Sequence, residues 1–243
     1  MKFGLLLRSC LFTVFQILVT PPFAVLAFTT LPLPPLARCR IIALWARMII
    51  AAAATICGIR YRVLGAEHIP QQGCVVLSKH QSAWETMVFQ LIFPPQVYVI
   101  KRSLLWIPFF GWGLALTSPI AIDRNSGMRA LKQLLAQGVQ RLACGLWVVV
   151  YPEGTRMAPG SRGRYQSGGA AIAIRAHAPV LPVAHNAGLC WPRNGFLKHQ
   201  GLITVSIGAA IDSRGKKAET ITQAAEQWIE AEMLRLDTPR GST

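Results

Sequence analysis

The stretch LWVVVYPEGTR, residues 146–156, decides the fold of this chain. Its first six residues are apolar or aromatic on both faces, which is typical of a strand inside a sheet that helices cover on each side. A polar turn follows at once. In sheets of this kind the loops that leave the carboxyl ends of strands build the functional site. The stretch therefore predicts a buried strand with a functional loop directly after it.

Further short β-rich runs alternate with helical stretches. They lie at residues 59–64, 74–77, 96–100, 118–122, 180–184 and 202–207. Residues 128–142 and 218–236 carry apolar side chains at helical spacing, which gives each segment one face for the core. Strands that alternate with helices over one domain predict an α/β fold, with a mixed, largely parallel sheet covered by helices.

The N-terminal part of the chain is apolar over two long segments. Residues 9–37 contain no charge, and a helix needs only ~20 apolar residues to span a bilayer. Two prolines, Pro21 and Pro22, predict a break near the middle of this run. A second apolar segment, residues 41–57, contains Arg47.

We therefore predict a hydrophobic membrane anchor of two helical segments at residues 1–57, followed by an α/β domain at residues 58–243. The segments either cross the membrane as a hairpin or lie in one leaflet with basic residues at the headgroups. The prolines shorten each apolar helix, which favours the second arrangement. A cleaved signal peptide is the alternative, and Arg8 at the start of the apolar run disfavours it.

Composition is consistent with a lipid-facing part. Hydrophobic residues make up 52% of the 243 residues and charged residues 14%, which is too apolar for an ordinary soluble domain. The 25 Lys and Arg against 10 Asp and Glu give a net charge of +15, which suits an anionic membrane, nucleic acid or an acidic carrier. The six cysteines are scattered without zinc-binding spacing, so we predict free thiols and no metal site.

Polar clusters follow four of the predicted strands. They contain His80, Lys101, Arg124 and the loop at residues 153–156, and each comes just after an apolar run. If these strands are parallel, the clusters meet at one edge of the sheet. The sequence leaves the strand directions open.

The first cluster pairs a base with a carboxylate. His80 and Glu85 are separated by a distance that a helix start can close, so the carboxylate can bind one imidazole nitrogen while the other accepts a proton. The same residues allow a structural interpretation, because Ser82 and Glu85 have the spacing of a capping box at a helix N-terminus.

The cluster at residues 153–156 is suited to an anion. Gly154 permits close approach of the backbone, Thr155 offers a hydroxyl, and the guanidinium of Arg156 can bind phosphate in a bidentate manner. A local ion pair between Glu153 and Arg156 is the alternative. The spacing is not that of a P-loop, and the chain has no Gly-x-Ser-x-Gly serine nucleophile motif.

Taken together, four blocks resemble those of the glycerophospholipid acyltransferase family. They are HQSAWE at 80–85, IAIDR at 120–124, YPEGTR at 151–156 and VLPV at 180–183. The family usually has Asp where this chain has Glu85, which keeps the charge on a side chain longer by one methylene.

The resemblance implies transfer of a fatty acyl group from an acyl-CoA or acyl-carrier-protein thioester to the free hydroxyl of 1-acyl-glycerol 3-phosphate, which gives phosphatidic acid. His80 would be the base and Glu85 its orienting partner. The acceptor's phosphate would be bound by a loop ordered by Glu153 and by the residues Arg156, Thr155, Gly154, Arg124 and Lys101. Residues 104–106 and 109–112 would line the path of the acyl chain, with packing in the core as the alternative.

The resemblance also implies the setting. No cofactor would be bound, since the acyl thioester is a co-substrate. The other partners would be a lysophospholipid and an anionic membrane, with no nucleic acid. The site would face the cytoplasm at the inner membrane of a bacterium. Two alternatives stay open: a related acyltransferase acting on glycerol 3-phosphate or a lyso-aminolipid, and a non-enzymatic basic membrane protein.

Overall fold

The computed structural model describes residues 2–123 and 126–237. The strands in that part of the chain are β1 (Ile59–Leu64), β2 (Val75–Ser78), β3 (Gln96–Lys101), β4 (Ile120–Ile122), β5 (Trp147–Val150), β6 (Val180–His185) and β7 (Gly201–Ile207). All seven predicted strands are confirmed, each to within two residues at either end.

The strands form one sheet in the order β1-β7-β6-β2-β5-β3-β4. Strand β2 pairs in parallel with β5 and β6, and β3 pairs in parallel with β4 and β5. Strands β1 and β7 are also parallel, whereas β6 and β7 are antiparallel. The predicted mixed, largely parallel sheet is therefore confirmed, and the carboxyl ends of β2, β3, β4 and β5 lie at the same edge.

The helices described are α1 (Lys2–Phe28), α2 (Pro35–Cys57), α3 (Trp84–Ile92), α4 (Phe110–Leu116), α5 (Gly127–Ala143), α6 (Gly168–Ala176), α7 (Ala187–Cys190) and α8 (Ala218–Asp237). One face of the sheet, with Val76 and Val149, packs against α2 and α3. The other face, with Val148 and Val150, packs against α5, α6 and α8. Because β5 is buried on both faces, it is apolar at every position.

Helix α1 runs without interruption through both prolines, so the predicted break at Pro21 and Pro22 is wrong. The two prolines remove only two N–H donors from a long apolar helix, and neighbouring elements support the weakened turn. Thr20 accepts a hydrogen bond of 3.3 Å from the indole N–H of Trp45 on α2, and α1 also packs against α4.

The two N-terminal helices lie against the α/β part of the chain. On α1, Ser9 Oγ accepts the backbone N–H of Lys198 at 3.0 Å, and the ring of buried Phe12 contacts Trp191 edge to face at 5.1 Å. Both helices are long and apolar enough to cross a membrane by length and composition. Gly58, with φ of 70°, ends α2 and turns the chain into β1. The division of the chain at residue 57 stays a prediction.

Candidate active site

The base and the carboxylate predicted from their spacing lie in direct contact. His80 follows β2, Glu85 lies in the first turn of α3, and His80 Nδ1 is 2.7 Å from Glu85 Oε1. The imidazole is 15% exposed, whereas the carboxylate is fully buried. With Nδ1 bound to the carboxylate, Nε2 is the ring nitrogen left to exchange a proton with a substrate.

The hydrogen bonds of the capping interpretation are present, although the N-cap residue of α3 is Ala83 and not Ser82. Glu85 Oε1 accepts the backbone N–H groups of Gln81 at 3.0 Å and Ser82 at 2.8 Å, while Ser82 Oγ accepts the N–H of Trp84 at 3.1 Å. The same oxygen therefore receives both backbone donors and the imidazole. The helix start holds the carboxylate in the position from which it orients His80.

Glu85 remains ionised at neutral pH despite its burial. Burial raises the pKa of its carboxyl group, but the neighbouring His185 and His80 and the N–H of Ser82 together outweigh burial and hold the pKa below its ordinary value. A buried carboxylate accepts protons in hydrogen bonds and donates none, so the tautomer of His80 that carries its proton on Nδ1 is the one stabilised.

The loop after β5 is attached to the base through the backbone. Glu153 Oε2 accepts the N–H of His80 at 3.4 Å, and the N–H of Met157 donates to the carbonyl of His80 at 2.7 Å. Gly154, with φ of 69°, makes the tight turn between these two contacts. The convergence predicted for parallel strands is therefore found for the loops that follow β2 and β5.

Glu153 faces the protein interior. Its Oε1 accepts Lys79 Nζ at 2.7 Å and the N–H of Gly163 at 3.0 Å, and its side chain is fully buried. A carboxylate paired in this way orders the loop, and its charge would repel a phosphate. The alternative ion pair with Arg156 is not among the salt bridges of the residues described.

The remaining predicted phosphate-binding residues lie at a common groove, with one exception. Gly154, Thr155 and Arg156 line it, as does Lys101 at the exposed end of β3. The guanidinium of Arg156 makes no hydrogen bond or ion pair with the part of the chain that is described. Arg124 lies outside the described residues, so its predicted role stays a prediction.

The groove connects the base to the N-terminal helices. It has a volume of about 1270 Å³ and its wall includes His80. Much of its apolar lining comes from α1, α2, α4 and the segment before α4, and includes Ile17, Phe23, Trp45, Leu104, Phe109 and Phe110. Of the predicted acyl-chain path, Leu104, Phe109 and Phe110 line the groove. Leu105, Trp106, Gly111 and Trp112 are not part of the lining, and Trp106 is 81% exposed.

Comparison with known proteins places this site in a family. A family model described as "Acyltransferase" matches residues 60–186, a span that contains His80, Glu85 and the loop at 151–156. The chain is 46% identical over 216 residues to "1-acyl-sn-glycerol-3-phosphate acyltransferase" of Pseudomonas aeruginosa, which covers 87% of this chain and 84% of that protein. The chain belongs to the acyltransferase family.

More distant proteins agree with this assignment. A "1-acyl-sn-glycerol-3-phosphate acyltransferase" of Saccharomyces cerevisiae is 28% identical over 182 residues, covering 70% of this chain and 57% of the yeast protein. The crystal structure of "the 1-acyl-sn-glycerophosphate (LPA) acyltransferase, PlsC, from Thermotoga maritima" superposes with a TM-score of 0.82 at 20% identity, covering 100% of this chain and 99% of that one. At this low identity, the superposition shows a common fold and no more. The resemblance drawn from the sequence blocks is confirmed.

The acyltransferase has a buried ionic network next to the base that sequence reasoning missed. Lys79 Nζ, besides its bond to Glu153, donates to Glu230 Oε1 on α8 at 2.9 Å and to the carbonyl of Ser161 at 2.9 Å. The hydroxyl of Tyr165 donates to the same Glu230 oxygen at 2.8 Å. Because Lys79 directly precedes His80, this network fixes the backbone that carries the base. A lysine directly before the HQSAWE block was the only signal in the sequence.

His185, at the end of β6, supports the same backbone. Its Nδ1 accepts the N–H of Ala187 at 3.3 Å, so its Nε2 carries the proton and donates to the carbonyl of Lys79 at 2.9 Å. Burial lowers the pKa of His185, which keeps the ring neutral.

A column of aromatic rings covers one face of the base. The imidazole of His80 stacks on the ring of Tyr151, with centroids 3.9 Å apart and planes at 15°. Tyr151 in turn lies nearly parallel to Tyr98, at 6.2 Å and 9°. No spacing in the sequence indicates this contact, since the rings come from three different segments.

Proposed function

We propose that this acyltransferase moves a fatty acyl group from a thioester of coenzyme A or acyl carrier protein to the free hydroxyl of 1-acyl-glycerol 3-phosphate. The product is phosphatidic acid. The observation that carries this proposal is the contact between His80 and Glu85 at the wall of a groove that Arg156 also lines. The relative from Pseudomonas aeruginosa bears the name of this activity.

The reaction follows from the protonation states at the dyad. Nε2 of His80 accepts the proton of the acceptor's hydroxyl as its oxygen attacks the thioester carbonyl. The imidazolium that forms is stabilised by the ionised Glu85 at Nδ1. When the tetrahedral intermediate collapses, the C–O ester bond remains, the C–S bond breaks, and the proton on Nε2 passes to the departing thiolate. No acyl-enzyme and no bound cofactor are needed.

The acceptor's phosphate is proposed to bind to Arg156 in the same groove. Arg156 supplies a guanidinium without an internal partner among the described residues, and Thr155 and Lys101 lie at the same groove. A planar fork of N–H donors binds phosphate oxygens in pairs, which also orients the ester. Arg124 is retained in this proposal from its sequence position alone.

The membrane anchor is proposed to lie in one leaflet rather than cross it. Ser9 and Phe12 attach α1 to the α/β part of the chain, so α1 would have to leave those contacts to enter the bilayer alone. The opposite face of α1 exposes large apolar side chains, among them Phe3 and Leu18. Contact with a leaflet would bury them and would bring the groove to the level where lysolipids reside. We place this surface on the cytoplasmic side of a bacterial inner membrane.

The direct test uses the full-length protein in vesicles of anionic phospholipid. Acyl-CoA and acyl carrier protein thioesters are offered separately, each with 1-acyl-glycerol 3-phosphate, glycerol 3-phosphate or a lyso-aminolipid. Products are identified by mass spectrometry. We expect phosphatidic acid with at least one donor, a loss of ~10²-fold or more in His80→Ala, and no loss in His199→Ala, which changes an exposed histidine.

Faster acylation of glycerol 3-phosphate or of the lyso-aminolipid would overturn the proposed acceptor. Full turnover by folded His80→Ala would overturn the mechanism. The ratio of rates with the two thioesters identifies the donor.

A further inference from the structure

We propose that Tyr151 is a positioning residue for acyl transfer, acting through the face of its ring on the imidazole of His80. This inference rests on the proposed function, because it assigns a role to Tyr151 in that same reaction. Tyr151 directly precedes the loop at 152–156, and its ring is parallel to the imidazole within 15° at a centroid distance of 3.9 Å.

The geometry shows why a second contact is needed. The hydrogen bond from Nδ1 to Glu85 holds one atom of the imidazole, and the ring can still turn about that bond. Contact over the whole face of the ring removes this freedom because it sets the plane. One fixed atom and one fixed plane together determine the direction in which Nε2 points.

Tyr151 is itself held from behind. Tyr98 lies nearly parallel to it, and the hydroxyl of Tyr98 donates to the carbonyl of Thr86 at 2.9 Å while it accepts from Gln96 Nε2 at 3.1 Å. Thr86 is the residue after Glu85. The aromatic column and the carboxylate are thus anchored to the same turn of α3. The two groups that contact the imidazole are therefore held in a fixed position relative to each other.

The ring of Tyr151, rather than its hydroxyl, makes this contact. The hydroxyl oxygen is buried and has no hydrogen-bond partner among the residues described. Phenylalanine would present the same face without leaving an unpaired donor. An aromatic face also favours the positively charged imidazolium that forms as the proton is transferred.

Steady-state kinetics of Tyr151→Phe and Tyr151→Met test this assignment. We expect Phe to keep kcat within about twofold and Met, which fills similar space without a flat ring, to lower kcat about 10- to 100-fold. The KM for the lysolipid should change little in both, because the phosphate contacts are untouched. Equal activity of Met and wild type would overturn the proposal. A Phe variant as slow as Met would also overturn it, since the hydroxyl would then be the essential group.

A spectroscopic signature tests the stack independently of activity. The measurement is NMR of protein labelled with ¹³C at histidine. The ring of Tyr151, stacked at this distance, shifts the resonances of the carbon-bound ring protons of His80 upfield. We expect the shift in wild type and Tyr151→Phe and its loss in Tyr151→Met, with the His80 signals assigned by their absence in His80→Ala. No upfield shift in wild type would overturn the geometry. A wild type that shows the shift but acylates no acceptor would instead refute the proposed function.

A milder variant applies if Tyr151→Met does not fold. Tyr98→Phe keeps the aromatic ring of the column but removes its hydrogen bonds to the Thr86 carbonyl and to Gln96 Nε2, so we expect kcat to fall about threefold to tenfold at constant lysolipid KM. An unchanged kcat in this variant would contradict a positioning role for the column.

Discussion

Replacing Glu85 by glutamine separates the charge of this side chain from its geometry. Glu85 Oε1 accepts three donors, namely His80 Nδ1 and the backbone N–H groups of Gln81 and Ser82. A glutamine oxygen can accept the same three. Its amide nitrogen, a donor, would face two backbone donors if the group were reversed. The backbone therefore selects the orientation that keeps the correct tautomer of His80.

The decrease in kcat that Glu85→Gln causes should then come from the loss of charge alone. A hydrogen bond to a charged group contributes ~1.5–3 kcal/mol and a neutral one ~0.5–1.5 kcal/mol. The difference of about 1–2 kcal/mol in stabilising the imidazolium corresponds to a decrease of about 5- to 30-fold in kcat. Folding should be retained, because the helix start keeps its acceptor.

The assay is steady-state acyl transfer in vesicles, with the thermal midpoint measured in parallel. The exposed Glu67→Gln substitution, in the turn after β1, is a matched control that changes the same charge away from the site. A wild-type kcat in Glu85→Gln would mean that Glu85 acts only as a structural residue at the start of α3. A loss of more than about 10³-fold would refute the argument that the backbone fixes the amide, since it would indicate a reversed amide and the wrong tautomer of His80.

Three further outcomes follow from the structure. Arg156→Ala should raise the KM for the lysolipid about 10- to 100-fold and leave that for the thioester nearly unchanged, with partial rescue by Lys, which lacks the bidentate fork; a defect confined to the thioester would refute the phosphate assignment. Single cysteines placed at 31–36 in a chain without native cysteines should react with an impermeant maleimide from the same side of sealed vesicles as exposed Cys144 does in a chain that keeps Cys144 as its single cysteine; reaction from the opposite side would establish a spanning hairpin. Burial lowers the pKa of His185, so unfolding takes up a proton there and the free energy of unfolding should fall as the pH drops below about 6.5. Denaturant titrations should show a smaller fall in His185→Gln, and an equal fall in both proteins would contradict this linkage.

The fold was predictable where local sequence and tertiary environment agree. Strands such as β5 are apolar on both faces because both faces are buried. Their sequence therefore indicates that helices cover the sheet on both sides. The prolines of α1 misled the prediction for the converse reason. Proline is a local helix breaker, and the sequence does not show the neighbouring helices that pack against α1.

The site was predictable only where its residues are close in sequence. His80 and Glu85 are five positions apart, so a helix start brings them together. Lys79 and Glu230 are 151 positions apart, and their contact depends on how α8 packs against the sheet. The sequence predicts that Glu153 orders its loop, but it does not identify the partner of Glu153, because that lysine lies in the loop after another strand.

Because the Arg156 loop is attached to His80, the proposed binding of the acceptor's phosphate to that loop would also position the imidazole. Both backbone groups of His80 are bound by that loop, through Glu153 and Met157. An anion that binds and orders this loop also holds the imidazole in position, so part of the anion's binding energy appears in the rate of the chemical step. A monoacylglycerol, which has the hydroxyl but no phosphate, should turn over slowly even at saturation. Adding a separate small phosphate dianion, in place of the phosphate group that monoacylglycerol lacks, should restore part of that turnover.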